Sequence, residues 1–326
     1  MNLNKKSVLL LIFGIYFIID TTPSIFAQEK NFLEDNYKVY SVELNEVINI
    51  EEIVEDLAEY DVIFFGEEHN DSIVHCLEYL LLEKLYNKYR NSLALSMEMF
   101  DRDVQVVLDE YLSNRIREKD FTKDARVWTN YNDYRPMVEF AKEKKLDVIA
   151  ANAPFRYVNM ANRKGQKSLK SLSKTAKSFI APLPYDTATG AYYEKLMAVT
   201  HRLTTPDTKK DTVISDTSTL PEISPSNMPS INMNQGQSLW DATMAYSIYQ
   251  YLKKNRNKKI MHINGRFHSD EYFGIVQQLE KYDHKIRYLV ISAFPNDSFP
   301  SIDFSQYKNL ADYIIITNPS VPKTFE

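Results

Sequence analysis

Residues 62–70 read V-I-F-F-G-E-E-H-N. Four successive apolar residues suit a strand buried on both faces, and the glycine directly after them predicts a sharp backbone turn. Glu67, Glu68 and His69 then fall at the strand's carboxyl end. In open α/β sheets that is where ligands bind, because the loops there open into a crevice bordered by helix starts. Residues 259–268, K-I-M-H-I-N-G-R-F-H, repeat the pattern: a β-type run, Gly265, two residues and His268. One strand-Gly-x-x-His is a weak signal. Two of them, each closing a buried strand and opening a helix, are harder to dismiss as coincidence.

Working outward, residues 93–99, L-A-L-S-M-E-M, form the next strand and deliver Glu98 to the same edge. For an acid alone, pairing with Arg102 is the plainer expectation. Residues 146–151 read as another buried strand, followed by N-A-P-F-R, with Asn152 and Arg156 at its end. Residues 285–294 and 312–317 are two more, and residues 37–57 read as an entry strand with a short acidic helix. Between them, residues 71–89 carry Ile73, Leu77, Leu80, Leu81 and Leu85 at helical spacing. Helices are also predicted over 101–112, 137–145 with Pro136 in the first turn, 238–254 and 270–281. The fold class is α/β, a mainly parallel sheet flanked by helices. Residues 157–203 do not alternate with strands and read as a helical cap over the crevice. Residues 204–237, dense in Thr, Ser, Pro, Asp and Asn, read as a disordered insertion. Cys76, inside an apolar run, reads as a buried small hydrophobe.

The chain of 326 residues is 44% hydrophobic and 25% charged, enough for a large core, and its net charge of -5 excludes a nucleic-acid binder. Residues 1–27 are set apart: Lys5 and Lys6, an apolar run from Val8 to Ile19, then Pro23, Ser24 and Ala27. That is a charged start, a run too short to span a bilayer and a small-residue cleavage site, which predicts a signal peptide and a single mature domain over 28–326. The protein is expected to be exported, to the periplasm or an outer-membrane-associated place in a Gram-negative-type bacterium. With one cysteine it relies on its core rather than on disulfides.

G-E-E-H at 66–69, S-M-E-M at 96–99, N-A-P-F-R at 152–156, L-W-D-A-T-M-A at 239–245 and G-R-F-H at 265–268 together resemble the ChaN family, in the order that family shows them. ChaN-like proteins belong to the TIKI superfamily, which also resembles the erythromycin esterases. The resemblance spans roughly residues 60–281 apart from the insertion. It implies an exported haem-binding protein of iron uptake, with haem under the cap, ligated by tyrosine, at a homodimer contact and in reach of outer-membrane uptake machinery. Among 22 tyrosines, Tyr185 and Tyr193 in the cap are the first choices as ligand. His201 is a second ligand or a hydrogen-bond partner, and Arg156 and Tyr246 complete the expected haem contacts. Family members are often lipoproteins, whereas the cysteine here stands far from the cleavage site.

The same relationship carries an alternative. In the superfamily's hydrolases the paired motifs and strand-end acids resemble Glu67, His69, Glu98 and His268 here. His69, His268 and Glu98 converging in a crevice would hold a divalent metal ion that polarises a carbonyl or activates water. Without metal, Glu67 or Glu98 would serve as general base with a histidine partner. No H-E-x-x-H on one helix decides between them. His75, His262 and His284 are weaker candidates, His262 reading as a core histidine.

Overall fold

The structure is a computed structural model that describes residues 32–204 and 233–325. The residues of the expected signal peptide, and 205–232 of the expected insertion, lie outside the described residues. Eight strands form one sheet: β1 (Tyr37–Ser41), β2 (Glu46–Ile48), β3 (Val62–Glu67), β4 (Leu93–Asp101), β5 (Asp147–Asn152), β6 (Lys259–Gly265), β7 (Tyr288–Pro295) and β8 (Tyr313–Thr317). Their order is β2-β1-β8-β7-β3-β6-β4-β5. All neighbours from β8 to β5 are parallel, and only the two pairings made by β1, with β8 and with the edge strand β2, are antiparallel.

β3 lies between β6 and β7, and its residues alternate between two cores. Ile63 and Phe65 pack with Leu77, Leu81 and Val138, from the helices Ser72–Tyr89 and Tyr131–Lys144. Val62 and Phe64 pack with Met244, Ile248 and Leu279, from the helices Met233–Lys254 and Ile275–Tyr282. A strand buried on both faces has no polar alternation to show, which is why it reads as a continuous apolar run. Each phenylalanine contributes about 1.5–3 kcal/mol by leaving water.

The register sets the site. Gly66 sits opposite Asn264, and Glu67 opposite Gly265, so the two Gly-x-x-His segments leave adjacent strands side by side. β4, with Glu98, lies on the other side of β6. Gly66 does not make the expected turn: it stays within β3, paired with both neighbours. Its role is close approach. A Cβ there would lie 2.9 Å from Arg266 Cα and Ser269 Oγ.

Several local expectations are corrected. The helix expected from Ser238 begins at Met233, so 233–237 belong to it and not to the insertion. Pro136 lies inside the helix Tyr131–Lys144 rather than in its first turn. The helix expected over 270–281 is broken by Gly274, at φ +51°, and only Ile275–Tyr282 is α-helical. Asp101 continues β4, and an α-helix follows only at Gln105–Leu112. Cys76 is exposed. The cap region comprises Phe155–Lys164, Lys174–Lys177 and Gly190–Thr204. Ala153, Val158, Ala161, Leu169, Ile180 and Tyr185 from this region bury against Leu239 and Ala242 of the long helix.

Candidate functional site

Two imidazole clusters meet at the carboxyl end of the sheet. The first is built on β3. His69 Nδ1 lies 2.5 Å from Glu67 Oε1, and the Tyr134 hydroxyl donates to the same oxygen at 2.6 Å. Trp128 stands edge-on to His69 at 5.1 Å. The helix Ser72–Tyr89 starts at once, because Asp71 Oδ1 accepts from the amides of Ile73 and Val74 at 2.9 and 3.1 Å. Its first two turns bring His75 and Glu78 to the other side of Glu67. His75 Nδ1 is 3.2 Å from Glu78 Oε2 and 3.4 Å from Glu67 Oε2. Burial alone would raise the Glu67 pKa, but hydrogen bonds with Glu78 and His69 and the nearby histidines outweigh it and hold it at about 2. Burial, then the charge of Glu67, push Glu78 well above the usual carboxylate range.

The second cluster is built on β6. His268 Nδ1 lies 2.6 Å from Asp241 Oδ1, and its Nε2 lies 3.4 Å from Glu98 Oε1. Glu98 Oε2 accepts from the Gly265 amide at 2.8 Å. Asp241 Oδ2 accepts from the Tyr192 hydroxyl at 2.8 Å. The carboxylate–imidazole–carboxylate row therefore has its outer members tied down. Burial alone would lower the His268 pKa; the charges of Glu98 and Asp241 reverse that and hold the imidazole well above its usual range. Burial raises Asp241. Arg102, the simplest partner for Glu98, instead donates to Ser247, Gln250 and the Ser178 carbonyl.

Between the clusters is a cavity of about 380 Å³, lined by His69, Glu98, His268, Asn152 and Gln237, with Trp128, Trp240, Phe155, Met99 and Val127 as its apolar wall. Asp101 and Arg126 also line it; their side chains bond at 3.0 Å. Burial raises the Asp101 pKa to about 6 although Arg126 opposes it. The strand-end residues Glu67, His69, Glu98 and His268 thus gather at one end of the sheet, as a hydrogen-bonded pair, Glu67–His69, and an ion pair, His268–Glu98. They do not form the expected metal trio. Among the described residues, the one trio with converging ligand atoms is Glu67, His75 and Glu78, not His69, His268 and Glu98. An Asp–His–Glu row whose histidine and glutamate line a cavity can accept and return a proton.

The expected haem residues lie elsewhere. Tyr185 is 5% exposed, its hydroxyl donating to the Gln235 carbonyl at 2.8 Å, and burial raises its pKa. Tyr246 accepts from Gln250 at 2.6 Å under the Arg102 guanidinium. Arg156 pairs with Asp103 at 2.6 Å beside the cavity-lining Phe155. Tyr193 is 41% exposed on the helix Gly190–Thr204, and His201 is exposed two turns further on. Sequence reasoning passed over Glu78, Asp241 and Tyr134 and ranked His75 low. The pair His75 and Glu78, one turn apart on a helix that opens directly after His69, was the available signal.

A family profile described as haem-binding uptake, Tiki superfamily, ChaN matches residues 53–279. Among solved structures, one titled as cofacial heme binding to ChaN of Campylobacter jejuni is similar at 16% identity, covering 87% of this chain and 97% of that one, with a TM-score of 0.62. The type III effector HopBA1 is similar at 11% identity, 82% and 93% coverage and a TM-score of 0.44. No curated protein matches the sequence.

Proposed function

Because the chain belongs to the ChaN family of the Tiki superfamily, described as haem-binding uptake proteins, we propose that it is an exported haem-binding protein of the cell envelope that serves haem or iron uptake. Tyr193 is its iron ligand, on the outer face of the cap, where a second copy of the chain covers the haem. The observation that carries this is the accessible phenol: Tyr193 is 41% exposed, while Tyr185 is buried and spends its hydroxyl on a carbonyl. Ferric haem, when bound, supplies an iron that favours a hard anionic oxygen. This donor set fits that need, with Tyr193 as ligand and His201 on the same helix as its neighbour. Export rests on Lys5, Lys6, the apolar run after them and Ala27.

The test is a titration of the chain from Gln28 onward with ferric haem, followed at the Soret band. Saturation at one haem per chain supports the reading; a linear, unsaturable rise overturns it. A second reading is favoured by the Asp241–His268–Glu98 row: acid–base hydrolysis in the crevice, with His268 as the proton carrier. Ester or peptide turnover lost in His268→Ala would support it.

A further inference from the structure

Behind His69, on the side of Glu67 away from the crevice, three ligand-type side chains face one another. His75 Nε2 lies 3.0 Å from the His69 carbonyl oxygen, which can only accept, so that nitrogen carries a proton. The other ring nitrogen, Nδ1, points at two carboxylates, 3.2 Å from Glu78 Oε2 and 3.4 Å from Glu67 Oε2. Glu78 is fully buried and Glu67 nearly so. Glu67 Oε2 and Glu78 Oε1 are buried with no hydrogen-bond partner beyond a proton that the two carboxyls can share. Oxygens left so cost about 1–3 kcal/mol each, more when charged. A proton on Nδ1 faces Glu67 Oε2 and Glu78 Oε2 and leaves Glu78 Oε1 unanswered; a cation among the three side chains answers both acids together.

The spacing agrees. Metal–nitrogen and metal–oxygen bonds of about 2.0–2.1 Å in tetrahedral array separate ligand atoms by about 3.4 Å. The ligand atoms of the three residues all lie within 4.8 Å of one another. The Nε2–H bond to a backbone carbonyl is the outer contact that orients a metal-binding histidine and leaves its other nitrogen for the ion. Asp133, whose Oδ2 is also unpartnered and 3.8 Å from His75 Nε2, adds negative charge on the solvent side.

We propose that Glu67, His75 and Glu78 form a divalent metal site of the zinc or manganese class, separate from the crevice and from any haem. One imidazole and two carboxylates suit these borderline and hard ions. Because Glu67 Oε1 also holds His69 and Tyr134, the ion would fix the orientation of the first cluster.

The experiment equilibrates the full mature chain with Zn²⁺ or Mn²⁺ alone, removes free ion and measures bound metal by mass spectrometry and its affinity by chelator competition. The expected result is one ion per chain and a raised Tm, with affinity at least tenfold weaker in Glu78→Gln and in His75→Gln and unchanged in His268→Ala. Glu78→Gln keeps the shape of a neutral acid, and its circular dichroism reports the fold. No ion taken up by the unaltered chain overturns the proposal, as does uptake that survives both substitutions or is lost in His268→Ala instead.

Discussion

Glu67 serves two clusters with one carboxylate: Oε1 holds His69 and Tyr134, and Oε2 faces His75. His268 is held between Asp241 and Glu98 in the same economical way. Its pKa is raised in the folded chain, so folding takes up a proton there. The stability this supplies is fully present below the unfolded value of about 6.5 and is lost as pH rises through the folded value. The raised Asp241 acts in the same direction. Asp241→Asn should lower the His268 pKa by about one to three pH units. Imidazole nitrogen chemical shifts across pH 5–9 measure it; an unchanged titration would contradict the pairing. Glu67, His69, Glu98 and His268 were legible because strand ends in such sheets point at the crevice. Asp241, Glu78 and Tyr134 come from helix interiors, whose approach is set by packing against a sheet that periodicity cannot orient.

At the scale of elements, β3 and β6 must lie close enough for their two loops to share one crevice. Gly66→Ala would press a Cβ to 2.9 Å from Arg266 Cα and 3.0 Å from the Ile291 carbonyl oxygen, and backbone cannot swing aside. Urea denaturation should show a loss of about 1–3 kcal/mol; an unaltered midpoint would refute the close-approach role. Asp71 both caps the helix Ser72–Tyr89 and accepts from Thr317 Oγ1 of β8. Asp71→Ala should therefore cost at least the 0.5–2 kcal/mol, or about 1, of a lost cap, read by the same denaturation. The buried strands were legible as apolar runs, most of them within one or two residues. The break in the helix at 270–281 was not, because a glycine within a helical pattern does not by itself show a break: the fold sets Gly274 at φ +51°, where a Cβ would meet the His268 carbonyl oxygen at 2.4 Å. The start at Met233 was hidden by polar residues, Asn234, Gln235 and Gln237, that pair with the cap and the crevice rather than with water.

At the scale of the whole molecule, the sheet carries a polar crevice and the cap carries an exposed tyrosine, two places rather than one pocket. The family resemblance implied haem under the cap, with Tyr185 and Tyr193 as first choices of ligand; packing turns Tyr185 and Tyr192 inward and leaves Tyr193 outside. A haem on that face predicts association: sedimentation of the haem-loaded chain should show a dimer where the haem-free chain shows a monomer, and an unchanged species would argue against the cap contact. The most direct measurement is the Soret titration repeated with Tyr193→Phe beside Tyr185→Phe and His201→Ala. The account predicts that Tyr193→Phe weakens haem binding at least tenfold and shifts the band, while Tyr185→Phe leaves both as they were. Haem bound equally well by Tyr193→Phe would contradict it.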